Sequence, residues 1–312
     1  MSASEPPVFL IGAERSGSTL LRLMLDRHPQ VAIAGNFEFL IDAISADGRF
    51  MKRDAFVRSL SLNGVFQRSG LAIAPRLNFT GIAHDFLDQV AATKNAPIRG
   101  ATVHRHFDRL LWLWPDARFI HLVRDGRDVA LATLPTGRAG TVWRAIRWWV
   151  EAEQLWERME HKLPIERQLT VHYEKLTSDP ERELRRICQF LGVAFSPELL
   201  RYNASEVRAA PVGKWRDADP ADVAAAEYEG ARWLLQHGYV LSGRVRPPSL
   251  FRATLLRLQD RYRIAKHRRN LFGKRLWLRS LYVSRLGSRK AKARLTQEMK
   301  AITEGGTGHD RR

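Results

Sequence analysis

Between Gly12 and Thr19 the chain reads Gly-Ala-Glu-Arg-Ser-Gly-Ser-Thr, which puts two glycines, three hydroxyls and one guanidinium into eight residues. Set between a strand and a helix, such a stretch binds an anion. The glycines let backbone amides converge, the helix start adds its positive end, and the side chains complete the shell. The spacing is that of a Walker A loop, Gly, four residues, then Gly-Lys-Ser/Thr, except that Ser18 stands at the lysine position. A triphosphatase without that lysine loses the charge that reaches the outer phosphates. Here the cation has moved to Arg15. Arg15, Ser16, Gly17, Ser18 and Thr19 therefore read as a holder of a phosphate-like group, not as the core of a nucleoside triphosphatase.

Other residues could join that chemistry. Arg124 follows the apolar run Arg118–Val123 and precedes a helical pattern, a position from which a guanidinium grips phosphate bidentately. The structural alternative is a pair with Asp125 or Asp128. Lys214-Trp215-Arg216 follows Gly213 in a loop punctuated by Pro and Gly. Two cations and an aromatic plane there suit a phosphate and a stacked purine, or else an ordinary surface loop. Tyr173 ends a strand pattern, where nucleotide contacts gather in α/β sheets, or it fills the core. No metal is expected: the ten histidines are scattered, His104 and His106 lie two apart, and Cys188 is the lone cysteine.

The elements that must position these residues follow from periodicity. Val8–Ile11 is a wholly apolar run, and Leu20, Leu21, Met24 and Leu25 form a helical stripe stopped at Pro29. Strand patterns follow at Val31–Ile33, Pro97–Val103, Arg118–Val123 and Gln168–His172. Helical patterns are read from Glu38 to Ile44, at Phe50–Leu62, Ile82–Thr93, His106–Trp114 and Val142–Met159, and from Gly126 behind an Asp125 cap. Pro180–Leu191 is a clean amphipathic helix ended by Gly192. Strands alternating with helices predict an α/β fold, a three-layer α/β/α with a central parallel sheet.

Length and charge bound the rest. The 312 residues are 45% hydrophobic, ample for a packed core, and the net charge is +18. Residues 244–312 carry +16 of it, and 1–243 only +2. Such asymmetry marks an attached interaction segment. The expected division is therefore 1–243 as the catalytic domain, 244–304 as a basic amphipathic helical extension, and 305–312 as a disordered tail. Arginines mixed with Leu, Phe and Trp make an anionic membrane surface the expected partner of 244–304, against a helix simply packed on the domain. Nucleic acid is disfavoured because no reading motif is present. One cysteine suits a reducing, cytoplasmic compartment, with attachment to the inner membrane face. The start lacks the basic-then-apolar order of a signal peptide, and no apolar window is long enough to span a bilayer.

Four blocks together resemble one family. Arg15-Ser-Gly-Ser-Thr-Leu-Leu-Arg-Leu-Met-Leu-Asp-Arg-His-Pro is similar to the 5′-phosphosulfate loop of sulfotransferases that use 3′-phosphoadenosine 5′-phosphosulfate (PAPS). Arg118-Phe-Ile-His-Leu-Val-Arg-Asp-Gly-Arg-Asp-Val-Ala is similar to their 3′-phosphate strand and helix. His172-Tyr-Glu-Lys-Leu and Val212-Gly-Lys-Trp-Arg follow in the family's order, so the resemblance spans residues 7 to about 240.

The resemblance implies a P-loop-NTPase-like sheet and sulfuryl transfer from PAPS to a hydroxyl or amine, leaving 3′-phosphoadenosine 5′-phosphate (PAP), without metal. It gives Arg124 the 3′-phosphate, with Thr133 beside Ala132, where many relatives have a serine. It makes 214–216 a flap over the nucleotide and Arg15 the stabiliser of the leaving group. For the base it offers Glu38, two residues beyond the family's glutamate, where Asn36 stands, or His104 or His106, with Glu38 slightly ahead of His104. The acceptor is expected to be small-molecule, glycan or lipid-linked. The competing reading is a non-catalytic P-loop-like nucleotide-binding protein recruited to anionic surfaces.

Overall fold

The structure is a computed structural model that describes residues 5–202, 209–243 and 245–286, and beyond them 288, 291, 292, 294, 295, 298, 299 and 302. Its centre is β1, Val8–Ile11, four apolar residues with both faces covered. Around it lie β2 (Val31–Asn36), β3 (Ile98–Val103), β4 (Arg118–Val123) and β5 (Gln168–His172), in the order β2-β3-β1-β4-β5 with every pairing parallel. Val8 is level with Gly100 on one side and Arg118 on the other. A parallel sheet needs crossovers, and these supply the helices that cover it.

The helices are α1 (Ser18–Leu25), α2 (Glu38–Ile41), α3 (Arg53–Ser61), α4 (Gly64–Arg68), α5 (Phe79–Ala92) and α6 (Gly126–Thr133). They continue with α7 (Val142–Glu160), α8 (Tyr173–Ser178), α9 (Pro180–Leu191), α10 (Pro220–Gln236) and α11 (Leu250–Leu286). The period of two along β1 divides them into layers. Val8 and Leu10 pack with Leu20, Leu21, Met24 and Leu25 of α1 and Leu184 and Ile187 of α9. Phe9 and Ile11 face the other way, onto Phe56, Phe86 and Leu87 and onto Trp156 and Met159 of α7. The predicted three-layer α/β/α architecture is therefore the observed one. Each fully buried side chain of this size contributes roughly 1.5–3 kcal/mol.

Local differences have physical causes. The helix expected over His106–Trp114 is a 3-10 segment, Phe107–Trp112, entered through His106 at φ 51°. The helix expected from Phe50 begins at Arg53, because Phe50 bridges back to Ile44. The expected Glu38–Ile44 helix stops at Ile41.

The C-terminal part is layered on α7. Asp222 of α10 accepts from the Val142 and Trp143 amides and so caps α7 from outside. Trp143, Ala225, Ala253 and Leu256 form a small apolar cluster that seats the first half of α11 on the domain. Gly273, at φ 74° and ψ 158°, breaks α11. The tail 305–312 and part of the 244–304 extension lie outside the described residues. Among the described residues no helix is long and apolar enough to cross a membrane.

Candidate active site

The loop after β1 is shaped by two crowded positions. At Gly12, φ is 135° and a Cβ would sit 2.4 Å from the Leu122 carbonyl oxygen, so only glycine fits. At Gly17, φ is 98° and a Cβ would strike the Tyr173 ring at 2.3 Å. Between them Arg15 adopts φ 72°, a left-handed conformation that costs roughly 1–2 kcal/mol for a side-chain-bearing residue. The Ser16 amide closes the turn onto the Ala13 carbonyl at 3.2 Å. Helix α1 then starts without a side-chain cap, leaving its first amides for a ligand. The Ser16 hydroxyl is buried without a hydrogen-bond partner. A buried orphan hydroxyl beside uncapped amides fits an anion with several oxygens.

Arg124 closes this loop from behind. Its Nη1 donates to the Arg15 carbonyl at 3.1 Å and its Nη2 to the Pro211 carbonyl at 3.0 Å, while its Nε has no partner. The guanidinium lies 4.7 Å from the centre of the Tyr173 ring. Asp128 forms a 3.8 Å ion pair with it and no hydrogen bond, so the pair considered as the structural alternative is present beside the carbonyl contacts. Asp128 also accepts from the Gly213 amide at 2.7 Å and the Trp215 amide at 2.9 Å. It thereby hangs the 213–216 segment on α6, next to Arg124.

The remaining predicted residues fall as follows. Tyr173 is buried, supports Gly17 and donates its hydroxyl to the Ala210 carbonyl at 3.0 Å. Trp215 is also buried, with the Arg127 guanidinium 3.6 Å and that of Arg216 4.5 Å from its ring centre. Lys214 and Arg216 are exposed. The Thr133 hydroxyl donates to the Val129 carbonyl at 2.8 Å, and Thr133 lines a cavity together with Arg15 and His104.

The two candidate bases form one unit. Glu38 Oε1 lies 2.7 Å from His104 Nδ1 and also accepts from the His104 amide at 2.9 Å. His104 Nε2 lies 2.8 Å from the Ser18 hydroxyl. Burial alone would raise the Glu38 pKa, but the hydrogen bond and charge of His104 outweigh it and hold the carboxyl below 4.5. An ionised carboxylate only accepts, so Nδ1 carries a proton, and in the neutral ring Nε2 is then the acceptor facing Ser18. His106 lines the same cavity, and burial, aided by Arg109, lowers its pKa.

That cavity, about 540 Å³, opens in front of Arg15 and His104 and runs along α7, where Trp148, Leu155 and Arg158 form its far wall. Sequence reading missed this wall, although a signal existed. Ala145, Trp149, Ala152 and Trp156 are buried at spacings of four and three residues, and Trp148 is out of phase with them. The Asp128 clip was also missed. Among the described residues no group of three or more His, Cys, Asp or Glu side chains could hold a metal ion.

Comparison with known proteins bears on the family and the fold. A chicken protein-tyrosine sulfotransferase 2 is 27% identical over 220 residues, 64% of this chain and 55% of that protein. A Caenorhabditis elegans protein-tyrosine sulfotransferase A is 24% identical over 262 residues, 76% of this chain and 68% of that one. The chain spans about half the length of the first of these relatives. The crystal structure of a Mycobacterium avium sulfotransferase superposes with a TM-score of 0.50 at 17% identity, over 78% of this chain and 79% of that one. The model of the sulfotransferase family matches residues 6–197, more than half of the chain. The chain belongs to the sulfotransferase family.

Proposed function

We propose that the protein transfers a sulfuryl group from PAPS to a hydroxyl acceptor held in the cavity beside α7. One observation carries this reading. The uncapped α1 amides, the orphan Ser16 hydroxyl and the unpartnered Arg124 Nε are left to bind an anion, while His104, oriented by Glu38, lines the adjoining cavity.

When bound, the nucleotide supplies the sulfuryl group and a phosphate leaving group. Arg15, always charged, stabilises negative charge at that end but cannot donate a proton. Ser18 and Thr19 add hydroxyls where a triphosphatase would place lysine and its metal ligand. Arg124, with one free nitrogen, and the clipped 213–216 segment hold the 3′-phosphate side.

His104 rather than Glu38 takes the acceptor's proton. Nε2 is the ring nitrogen turned away from Glu38, and His104, not Glu38, lines the cavity. Glu38 fixes the ring's tautomer and stabilises the imidazolium that forms, the division of labour of an acid–histidine pair. The Ser18 hydroxyl, bound to Nε2 in this state, must yield to the acceptor's. Trp148 and Leu155 give the acceptor an apolar wall, and Arg158 gives it a cation, which suits a hydroxyl on a phenol, sugar or lipid headgroup.

A protein that only stored nucleotide would have no use for an oriented histidine at the mouth of a second cavity. Calorimetry with PAP, and with ATP and magnesium, tests the donor site. Labelled PAPS with phenolic, glycan and lipid acceptors tests transfer. Preference for ATP with magnesium over PAP would overturn the proposal.

A further inference from the structure

The first half of α11 has two faces of opposite character. One faces the domain: Ala253 and Leu256 are buried against Trp143, and Asp260 Oδ1 accepts from the Gly140 amide at 2.7 Å. On the same side Arg263 donates to the Gly140 carbonyl at 2.8 Å, and the His267 ring lies over Gly137. The opposite side carries Phe251, Leu255, Leu258 and Tyr262, spaced four, three and four residues apart and therefore in one line along the helix. They are 80%, 42%, 58% and 66% exposed. A soluble helix has no reason to line up four large apolar groups on its outer side.

Cations border that line. Arg257, Arg261 and Arg268 lie along one flank, Lys266 lies on the other, and Arg269 extends the line itself. All are exposed, and Arg261, Lys266, Arg268 and Arg269 have no ion pair among the described residues. From Leu250 to Leu286 the sequence holds eleven Lys and Arg against one acid, Asp260, which is buried and turned to the domain. An apolar line with basic borders matches the boundary of an anionic bilayer, where side chains of this type enter the acyl edge and guanidinium and ammonium groups meet lipid phosphates. A second copy of the chain is a poor occupant, since it would set these cations against their own like. Nucleic acid would satisfy the cations and leave the apolar line in water.

We propose that the outer face of α11, Phe251–Tyr262 with its bordering cations, docks on an anionic lipid surface. Docking would hold α11 between the bilayer and the loop beside the acceptor cavity. The opposite side of the same helix holds Gly137 and Gly140, and Thr136 and Arg138, on either side of Gly137, belong to the cavity wall. The surface stands independently of the donor nucleotide proposed above.

The test uses the full chain with two double variants, Phe251→Asp with Leu258→Asp, and Arg261→Glu with Arg268→Glu. Sedimentation is measured with vesicles of mixed phosphatidylglycerol and phosphatidylcholine, and of phosphatidylcholine alone. The expected result is binding only to the anionic vesicles, weakened by salt. Each double variant should bind at least about ten-fold less, with thermal melting and PAP affinity unchanged.

Absence of binding to anionic vesicles by the parent chain would overturn the proposal, as would variants that bind like the parent. A dimer that the same variants dissociate would also overturn it, and so would binding of duplex DNA that the apolar double variant leaves intact while vesicles go unbound. Loss of PAP binding in the parent chain would count against the donor reading alone.

Discussion

The Ser18 hydroxyl and His104 Nε2 lie 2.8 Å apart although 86 residues separate them. The contact joins the loop after β1 to the His104–Glu38 pair, so under the proposed reaction its donor and acceptor halves would share one hydrogen-bonded row. His104→Ala should lower kcat about 10²–10⁴-fold, with PAP affinity retained. Glu38→Gln should also lower kcat, since the His104 ring loses the carboxylate that fixes its orientation and tautomer, while PAP affinity is retained. Unchanged kcat in Glu38→Gln would mean that Glu38 serves packing alone.

Arg15 is the exposed cation of the loop, and its side chain makes no hydrogen bond within the fold that the substitution would remove. Arg15→Ala should leave thermal melting nearly unchanged and reduce kcat about 10²–10³-fold, the scale of losing one charge-stabilising group. Single-turnover kinetics with labelled PAPS measures it; near-normal turnover would remove Arg15 from its assigned role.

Arg124 has both a structural and a ligand-facing part. Arg124→Ala should weaken PAP binding by about 1.5–3 kcal/mol, the value of a hydrogen bond to a charged group, and calorimetry reads it directly. Equal affinity in the variant would place the 3′-phosphate elsewhere.

Stability should depend on pH through a buried cluster behind β4. Burial, then the charge of His237 and Lys175, lowers the His172 pKa from 6.5 to about 4. The native state thus binds fewer protons than the unfolded chain in that window, and stability is lost as pH falls from about 6.5 to 4. Glu153 is wholly buried. Burial opposes its ionisation, yet His121 and His237 hold its pKa at about 2. Its contribution is present above 4.5 and lost as pH falls from there toward 2. Urea midpoints that stay level from pH 7 to pH 4 would refute this account.

Asp260 ties α11 to the loop beside the cavity. Asp260→Ala leaves the buried Gly140 amide without its partner and should cost about 1–3 kcal/mol, visible as a lower Tm. The acceptor KM should rise more than the affinity for PAP falls.

The sheet was legible because its signals are local. Arg118–Val123 and Gln168–His172 are bounded in the structure where their apolar runs are bounded in the sequence. So is Pro180–Leu191, with Asp179 capping its start and Gly192 ending it in the left-handed conformation. The anion loop was legible through its glycines and hydroxyls. Glu38 and His104 were legible only as rivals, since nothing local says that residues 66 apart in sequence share a proton. Their union depends on β2 and β3 lying side by side. Asp128 looked like a helix-start acid, and its grip on 213–215 crosses 85 residues. The two faces of α11 required knowing which side met Trp143.

Each candidate-site residue hangs from the end of a different strand: Arg15 after β1, Glu38 after β2, His104 after β3, Arg124 after β4 and Tyr173 after β5. Because β1 is the middle strand and its neighbours come from far along the chain, no fragment of the sheet assembles the constellation. A folding chain would gain ligand affinity only at the final step, after the slow closure of distant segments. Nucleotide binding by freshly made protein would thus time the completion of folding rather than its onset.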